Sequence, residues 1–419
     1  MANAQSDPQT TAYRDSNLTH PRLTIGGYGE AVYRYNFFSD NFNRYSHAAD
    51  YADAQGHGRF DLPHAVIMLG YDFGKGWSFG TEIEFEHGGT EAAVELEGDE
   101  AGEFEKEIER GGEVALEQFW IQKHFNDKLN LRMGHIVVPV GMTNNHHLPT
   151  ECYGVYRPEG ENTILPCTWH ETGISLWGRL QQWRYEVMLL PALNSNMFTS
   201  DGWVHNGSAS AYEFRVANNL AAAARLDWSG VKNLRIGLSG YIGNSFNNDV
   251  ITNTATKYDT VKGTVMIGTM DFLYRNRWLT VRGHADYGHL NDAALISAHN
   301  KSQDHSANSP YPHTMVGKAA WATGMEAGID LLAFSKTPKD KSRRLILFAH
   351  YEHYDSYIPA GNAADIEWAD RQVVSGGLNY YPLPQIAIKA EGGVRLMKSQ
   401  YNNEPFAAIG ITWSGMFKR

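Results

Sequence analysis

From Arg22 to Phe417 the side chains alternate between apolar and polar over one short stretch after another. A period of two sends successive side chains to opposite faces, as a β-strand does and a helix does not. In 278–289, Leu279, Val281, Ala285 and Tyr287 alternate with Thr280, Arg282, His284 and Asp286. In 385–397, Ile386, Ile388, Ala390, Val394 and Leu396 oppose Lys389, Glu391 and Arg395. Stretches 22–34, 183–192 and 343–354 read the same way. In 113–124 the pattern is ambiguous, because Phe119 and Trp120 compete for the apolar side.

The strands predicted on this basis are 22–34, 58–72, 77–87, 113–124, 129–138, 169–179, 183–192, 213–228, 234–243, 263–274, 278–289, 318–333, 343–354, 371–381, 385–397 and 405–417. Short connections (73–76, 126–127, 180–182, 229–233, 275–277, 335–342, 382–384) alternate with long ones (35–57, 88–112, 139–168, 193–212, 244–262, 290–317, 355–370, 398–404). Aromatics gather beside the short turns: Phe73, Trp77, Phe125, Trp183, Trp228, Trp278, Phe334, Tyr380, Tyr381, Trp413 and Phe417. Loops sorted by length onto two rims, with an aromatic girdle, describe a transmembrane barrel. The predicted fold is all-β: one antiparallel β-barrel of about sixteen strands over 22–419, with short periplasmic turns and long extracellular loops, after a polar lead-in, 1–21.

Mean hydropathy is negative, and no apolar run reaches the ~20 residues of a spanning helix. Alternating strands average to polar, so the barrel is consistent with this. Net charge −11 gives no footprint for nucleic acid. Residues 1–21 have no apolar leader core, but Ala2-Asn3-Ala4 before Gln5 reads as the tail of a cleavage site, and so as export. The acidic run 91–109, with a single Lys106, reads as a solvated loop or short exposed helix, or else as a vestibule or docking surface for a partner protein.

The polar face carries the chemistry. Its predicted inward bases are Arg34, Arg132, Arg179, Arg184, Arg225, Arg235, Arg282, Arg344, Lys389 and Arg395. The predicted inward acids are Glu30, Glu82, Glu84, Glu86, Glu186, Asp227, Asp286, Glu326, Asp330, Glu352 and Glu391. Desolvating each ion costs several kcal/mol, so this many charges imply a water-filled lumen. Arg282, Arg344, Lys389 and Arg395 would make a basic strip and Glu82, Glu84 and Glu86 an acidic one, unless such groups pair along the wall. Loop 142–168 would narrow the lumen with Arg157, Glu151 and Glu159. Cys152 and Cys167, 15 apart, read as a disulfide closing this loop, worth roughly 3 kcal/mol; the alternative is two free buried thiols. His146-His147 near Glu151 and the pair His350/His353 are the histidine clusters; the latter two point to opposite faces of one strand. No metal, cofactor, nucleotide fingerprint or catalytic constellation is read.

The stretch Arg132-Met133-Gly134-His135-Ile136-Val137-Val138-Pro139-Val140-Gly141 resembles the strand-ending signature of the phosphate-selective porin O and P family. Gly173 to Leu180 and the Gly-rich opening Leu23 to Glu30 are similar to strands of that family. The resemblance implies an outer-membrane porin of a Gram-negative bacterium, a homotrimer amid lipid bilayer and lipopolysaccharide, whose third long loop folds inward. The family's anion selectivity rests on a basic eyelet. Loop 142–168 departs from it, with Arg157 against Glu151, Glu159 and Glu161. Phe417 stands where a terminal aromatic is expected, but Lys418 and Arg419 follow.

The function predicted is passive diffusion of small polar or anionic solutes through the barrel, not catalysis. The competing prediction is a structural or docking subunit of an outer-membrane complex, with its lumen plugged.

Overall fold

A computed structural model describes residues 22–86, 93–97, 105–109, 113–212, 214–303, 311–335 and 342–418. The predicted lead-in 1–21 lies outside the described residues, as do parts of the acidic run. The strands are β1 (Leu23–Asn36), β2 (His57–Asp61), β3 (His64–Gly74), β4 (Trp77–Glu86), β5 (Ala93–Glu97), β6 (Glu105–Glu109), β7 (Glu113–Asn126), β8 (Leu129–Val137), β9 (His170–Leu180) and β10 (Trp183–Pro191). They continue as β11 (Leu220–Trp228), β12 (Leu234–Asn244), β13 (Thr264–Arg275), β14 (Leu279–Leu290), β15 (Ala319–Asp330), β16 (Arg344–Ile358), β17 (Asp370–Leu383), β18 (Ile386–Leu396) and β19 (Glu404–Lys418). All but β5 and β6 join one antiparallel sheet in chain order, closed by pairing of β1 with β19. β2 and β3 both pair with β1 and are one stave. Val32 opposes Asp61 while Gly29 opposes Ala65, a slip of one residue at Leu62-Pro63, where proline has no N–H for the ladder. The barrel therefore has sixteen staves.

Outward side chains form an exposed apolar belt, with Ile25, Ile67, Ile121, Met133, Leu176, Leu189, Leu238, Met270, Met325, Leu347, Ile388 and Ile409 among them. A soluble monomer rarely exposes so much contiguous apolar surface, whereas a barrel turns it to lipid. The contest between Phe119 and Trp120 resolves at a β-bulge. Glu82 pairs with Gln118 but Ile83 with Leu116, so Glu117 and Gln118 both turn inward, buried. The alternation then restarts with Phe119 outside and Trp120 inside.

Short turns occupy one rim and long loops the other. The turn from β3 to β4 sets Gly74, Lys75 and Gly76 at φ 77°, 54° and 79°, the left-handed conformations that tight hairpins demand. Two predictions are corrected here. The predicted strand 213–228 begins only at Leu220, because Arg215 donates instead to the carbonyls of Ala192, Gly207 and Ala209 in the preceding loop. The described part of the acidic run is neither coil nor helix but the antiparallel pair β5–β6.

On the long-loop side an apolar core lies inside the barrel. Trp169, Leu193, Phe198, Trp203, Val261 and Ile296 come from four loops and pack on inward Met188, Ala223, Tyr241 and Val265. At Gly288 of β14 a Cβ would lie 1.9 Å from the Trp203 ring. Only glycine leaves room for that indole.

Candidate channel interior

The segment between β8 and β9, residues 138–169, contains two short helices, α1 (Met142–Asn145) and α2 (Glu159–Ile164). Its bonding partners ring the barrel. Gly141 N donates to Ser239 Oγ of β12, and Gly141 O accepts from Arg225 of β11. Tyr153 N donates to Glu326 of β15, Val155 N to Glu391 of β18, and Glu159 N and Gly160 N to Glu352 of β16. Tyr156 Oη reaches Asp61 of β2, Thr150 reaches Ser414 of β19, and Thr168 reaches Glu117 of β7. A segment that touches strands all around a closed sheet lies inside it. The wall supplies carboxylates where the segment shows N–H groups, which is the satisfaction that buried backbone requires.

Lys389 supplies the converse. Only 1% exposed, its ammonium donates to the carbonyls of Pro149, Cys152 and Gly154 at 2.7, 3.0 and 2.7 Å. Arg395 of β18 binds Glu159 Oε1 and Glu404 Oε2, both at 2.6 Å. Burial would raise the Glu159 carboxyl, but Arg395 and Arg371 overrule it and hold the group below its usual range. Glu151 lies 3.6 Å from His146 and is likewise held low against burial. Arg157 Nε donates to His147 O; burial opposes its charge, but Tyr28, Glu117 and Glu30 raise its pKa. Burial and then Arg157 depress His147.

The other predicted inward bases also have partners. Arg225 lies 2.7 Å from Asp227 and 2.8 Å from Asp271, and Arg235 shares Asp271 at 2.9 Å. Arg184 binds Glu186 and Asp227, Glu186 also accepts from Ser175, and Arg282 binds Glu326 at 2.8 Å. Arg132 donates to Gln122 beside Trp120. Arg34 donates to Asn36 with its guanidinium over Phe406, and Arg344 lies over Tyr381. Arg179 is half-buried opposite Arg184. Glu84 meets His64 at 2.6 Å, and Asp286 meets His284 at 2.5 Å.

Two expectations change. Most inward charges do not stand in open water; they are buried and matched within the wall or to the inserted segment, so the anticipated basic strip is not a free field. The cysteines are free thiols. Cys152 faces the Pro149 carbonyl and the Lys389 ammonium, whereas Cys167 packs against the apolar cluster, where burial pushes its thiol up. The two side chains thus belong to different surroundings and the predicted bridge is absent.

Beside the segment lies a cavity of about 40 Å³. Arg34, Tyr156, Arg157, Glu159, Glu326, His350, Glu352 and Glu391 line it, and it has room for a few waters. Sequence reasoning missed Glu117, hidden by the bulge, along with Asp271 and Glu404. It also did not bring Glu161 to His284 and Asp286, which stand two apart on β14 and more than a hundred residues further on, whereas the fold gathers all three.

Belt, closed sheet and inserted segment define a transmembrane β-barrel of porin-like architecture. No family model matches the chain. A protein of Aquifex aeolicus (strain VF5), described only as uncharacterized, is 26% identical over 401 residues, covering 93% of this chain and 79% of that one. An anion-selective porin from Comamonas acidovorans superposes with a TM-score of 0.52 at 10% identity, over 94% of this chain and 99% of that chain. The outer membrane channel DcaP of Acinetobacter baumannii gives 0.49 at 10% identity, over 96% and 100%. The likeness stops at the barrel, and nothing in these comparisons points to the phosphate-selective porin O and P family.

Proposed function

We propose that the protein is an outer-membrane channel through which small polar solutes diffuse, with residues 138–169 forming its throat. The observation that carries this reading is the inserted segment itself, held by wall side chains from β2 round to β19 inside a closed, lipid-belted sheet. Short turns face the periplasm and long loops the exterior, as the loop sorting of outer-membrane barrels suggests.

The lining also bears on selectivity. Around the cavity stand four carboxylates, Glu159, Glu326, Glu352 and Glu391, against two guanidiniums, Arg34 and Arg157. Pore selectivity follows the sign of the lining charge, so the throat favours cations and neutral polar solutes over the anions that the family resemblance implied. Planar-bilayer conductance with a salt gradient tests this. Discrete conductance with a reversal potential on the cation side supports it; anion selectivity rejects the charge argument.

The depth at which the interior charges are paired favours a second reading, a plugged barrel that serves as a scaffold for a partner at its long loops. A folded protein silent in bilayers, recovered from native membranes with a second polypeptide, would replace the channel with the scaffold.

A further inference from the structure

We propose that Glu161, His284 and Asp286 form a binding site for a divalent cation of the zinc class, pinning the inserted segment to strand β14. The inference rests on local geometry and holds whether or not the lumen conducts.

His284 and Asp286 stand two apart on β14, so both project into the barrel. Glu161 comes to them from α2. One ligand atom from each of the three lies within 4.8 Å of the other two. All three residues are buried, at 0%, 6% and 4% exposure in chain order. Glu161 is already aimed, since its carboxylate accepts from Met142 N, Thr143 N and Thr143 Oγ1 at 2.6 to 2.8 Å. Across the ladder a Cβ at Gly324 would lie 2.5 Å from His284 Nε2, so glycine there makes room for the imidazole.

Within this cluster Asp286 Oδ1 lacks a hydrogen-bond partner, and His284 Nε2 faces Glu352 Oε1 only across 4.0 Å. A buried atom without a partner carries a desolvation cost. The charge is unbalanced too. Among the described residues Asp286 forms an ion pair with His284 alone, and neither Glu161 nor Asp286 is paired with an arginine or lysine.

A dication answers these features together. It would take the place of the proton shared by His284 Nδ1 and Asp286 Oδ2, now 2.5 Å apart, and that proton would leave to solvent. The two atoms would separate to roughly 3.3 Å, the edge of a tetrahedron with ~2.0 Å bonds. The imidazole would then turn its Nε2–H toward Glu352 Oε1, 4.0 Å away, giving the carboxylate–histidine–metal arrangement that orients ligating histidines. One nitrogen and two carboxylate oxygens suit a borderline divalent ion such as zinc better than magnesium or calcium, which prefer all-oxygen sites.

The test uses tag-free, full-length protein folded in detergent, stripped with EDTA and dialysed against zinc chloride near neutral pH, with bound metal read by elemental analysis. About one zinc per chain is expected, with His284→Gln and Asp286→Asn each weakening binding at least tenfold. His64→Gln, in the separate His64–Glu84–Glu86 cluster, should leave the stoichiometry unchanged. Heat-modifiable gel migration reports that each variant is folded. If a variant does not fold, cobalt substitution of the native protein still decides, because a tetrahedral N/O site gives visible absorption. Failure of the native protein to retain zinc, zinc binding indifferent to His284→Gln, or binding lost in His64→Gln would each overturn the site.

Discussion

Arg395 Nε lies 2.6 Å from Glu159 Oε1, joining the last-but-one strand to the turn where the inserted segment begins its second helix. Glu159→Gln keeps the shape and removes the charge. It should cost about 1–2 kcal/mol, because the pair is only partly buried and a charge-assisted bond becomes a neutral one. The same variant should shift the reversal potential toward anions and increase current noise. An unchanged reversal potential would remove Glu159 from the conduction path.

Lys389 ties the segment to the wall through three carbonyls. Lys389→Met fills a similar volume but orphans the carbonyls of Pro149, Cys152 and Gly154. At about 1–3 kcal/mol for each buried unsatisfied group, partly relieved by water, the loss should be roughly 3 kcal/mol or more. Urea unfolding of the detergent-folded protein, followed by tryptophan fluorescence, measures it.

His147 gives the interior a pH dependence. Burial, aided by Arg157, lowers its folded pKa below the ordinary 6.5. The unfolded chain therefore binds this proton first as pH falls, so the stabilisation is complete above 6.5 and is lost on the acid side. Unfolding midpoints should fall more steeply between neutral and mildly acid pH in the native protein than in His147→Gln. Parallel curves would show that this imidazole does not titrate on unfolding.

Both thiols should react with a thiol reagent in denatured protein without prior reduction, and reducing agent should leave conductance unaltered. A thiol that appears only after reduction would restore the disulfide.

On the outer face, Leu238 is 51% exposed in the middle of β12. Leu238→Lys should cost about 2–4 kcal/mol of stability in lipid if the residue lies near the midplane. Refolding into vesicles, compared with detergent, reads this directly.

The barrel was legible because its code is local. Alternation in 278–289 or 385–397 needs no knowledge of a partner strand, and loop lengths alone separate the rims. The boundaries failed where side chains serve a distant loop, as Arg215 does, or where a bulge doubles the inward face, as at Glu117 and Gln118. The interior was only half legible. Inward residues could be named from periodicity, but their partners lie far off in sequence: Lys389 and Pro149 are 240 residues apart. Spacing suggested a bridge between Cys152 and Cys167, yet spacing carries no information about which way two side chains in an irregular segment turn.

The seam between β1 and β19 runs through thirteen opposed pairs, from Thr24↔Lys418 to Asn36↔Phe406. It joins the first strand of the sheet to the last, so the cylinder has no seal until β19 has been made. Until then both edge strands offer unsatisfied backbone to any neighbour. Assembly must therefore wait for β19, and a product ending before Glu404 would keep a permanently sticky margin rather than form a smaller pore.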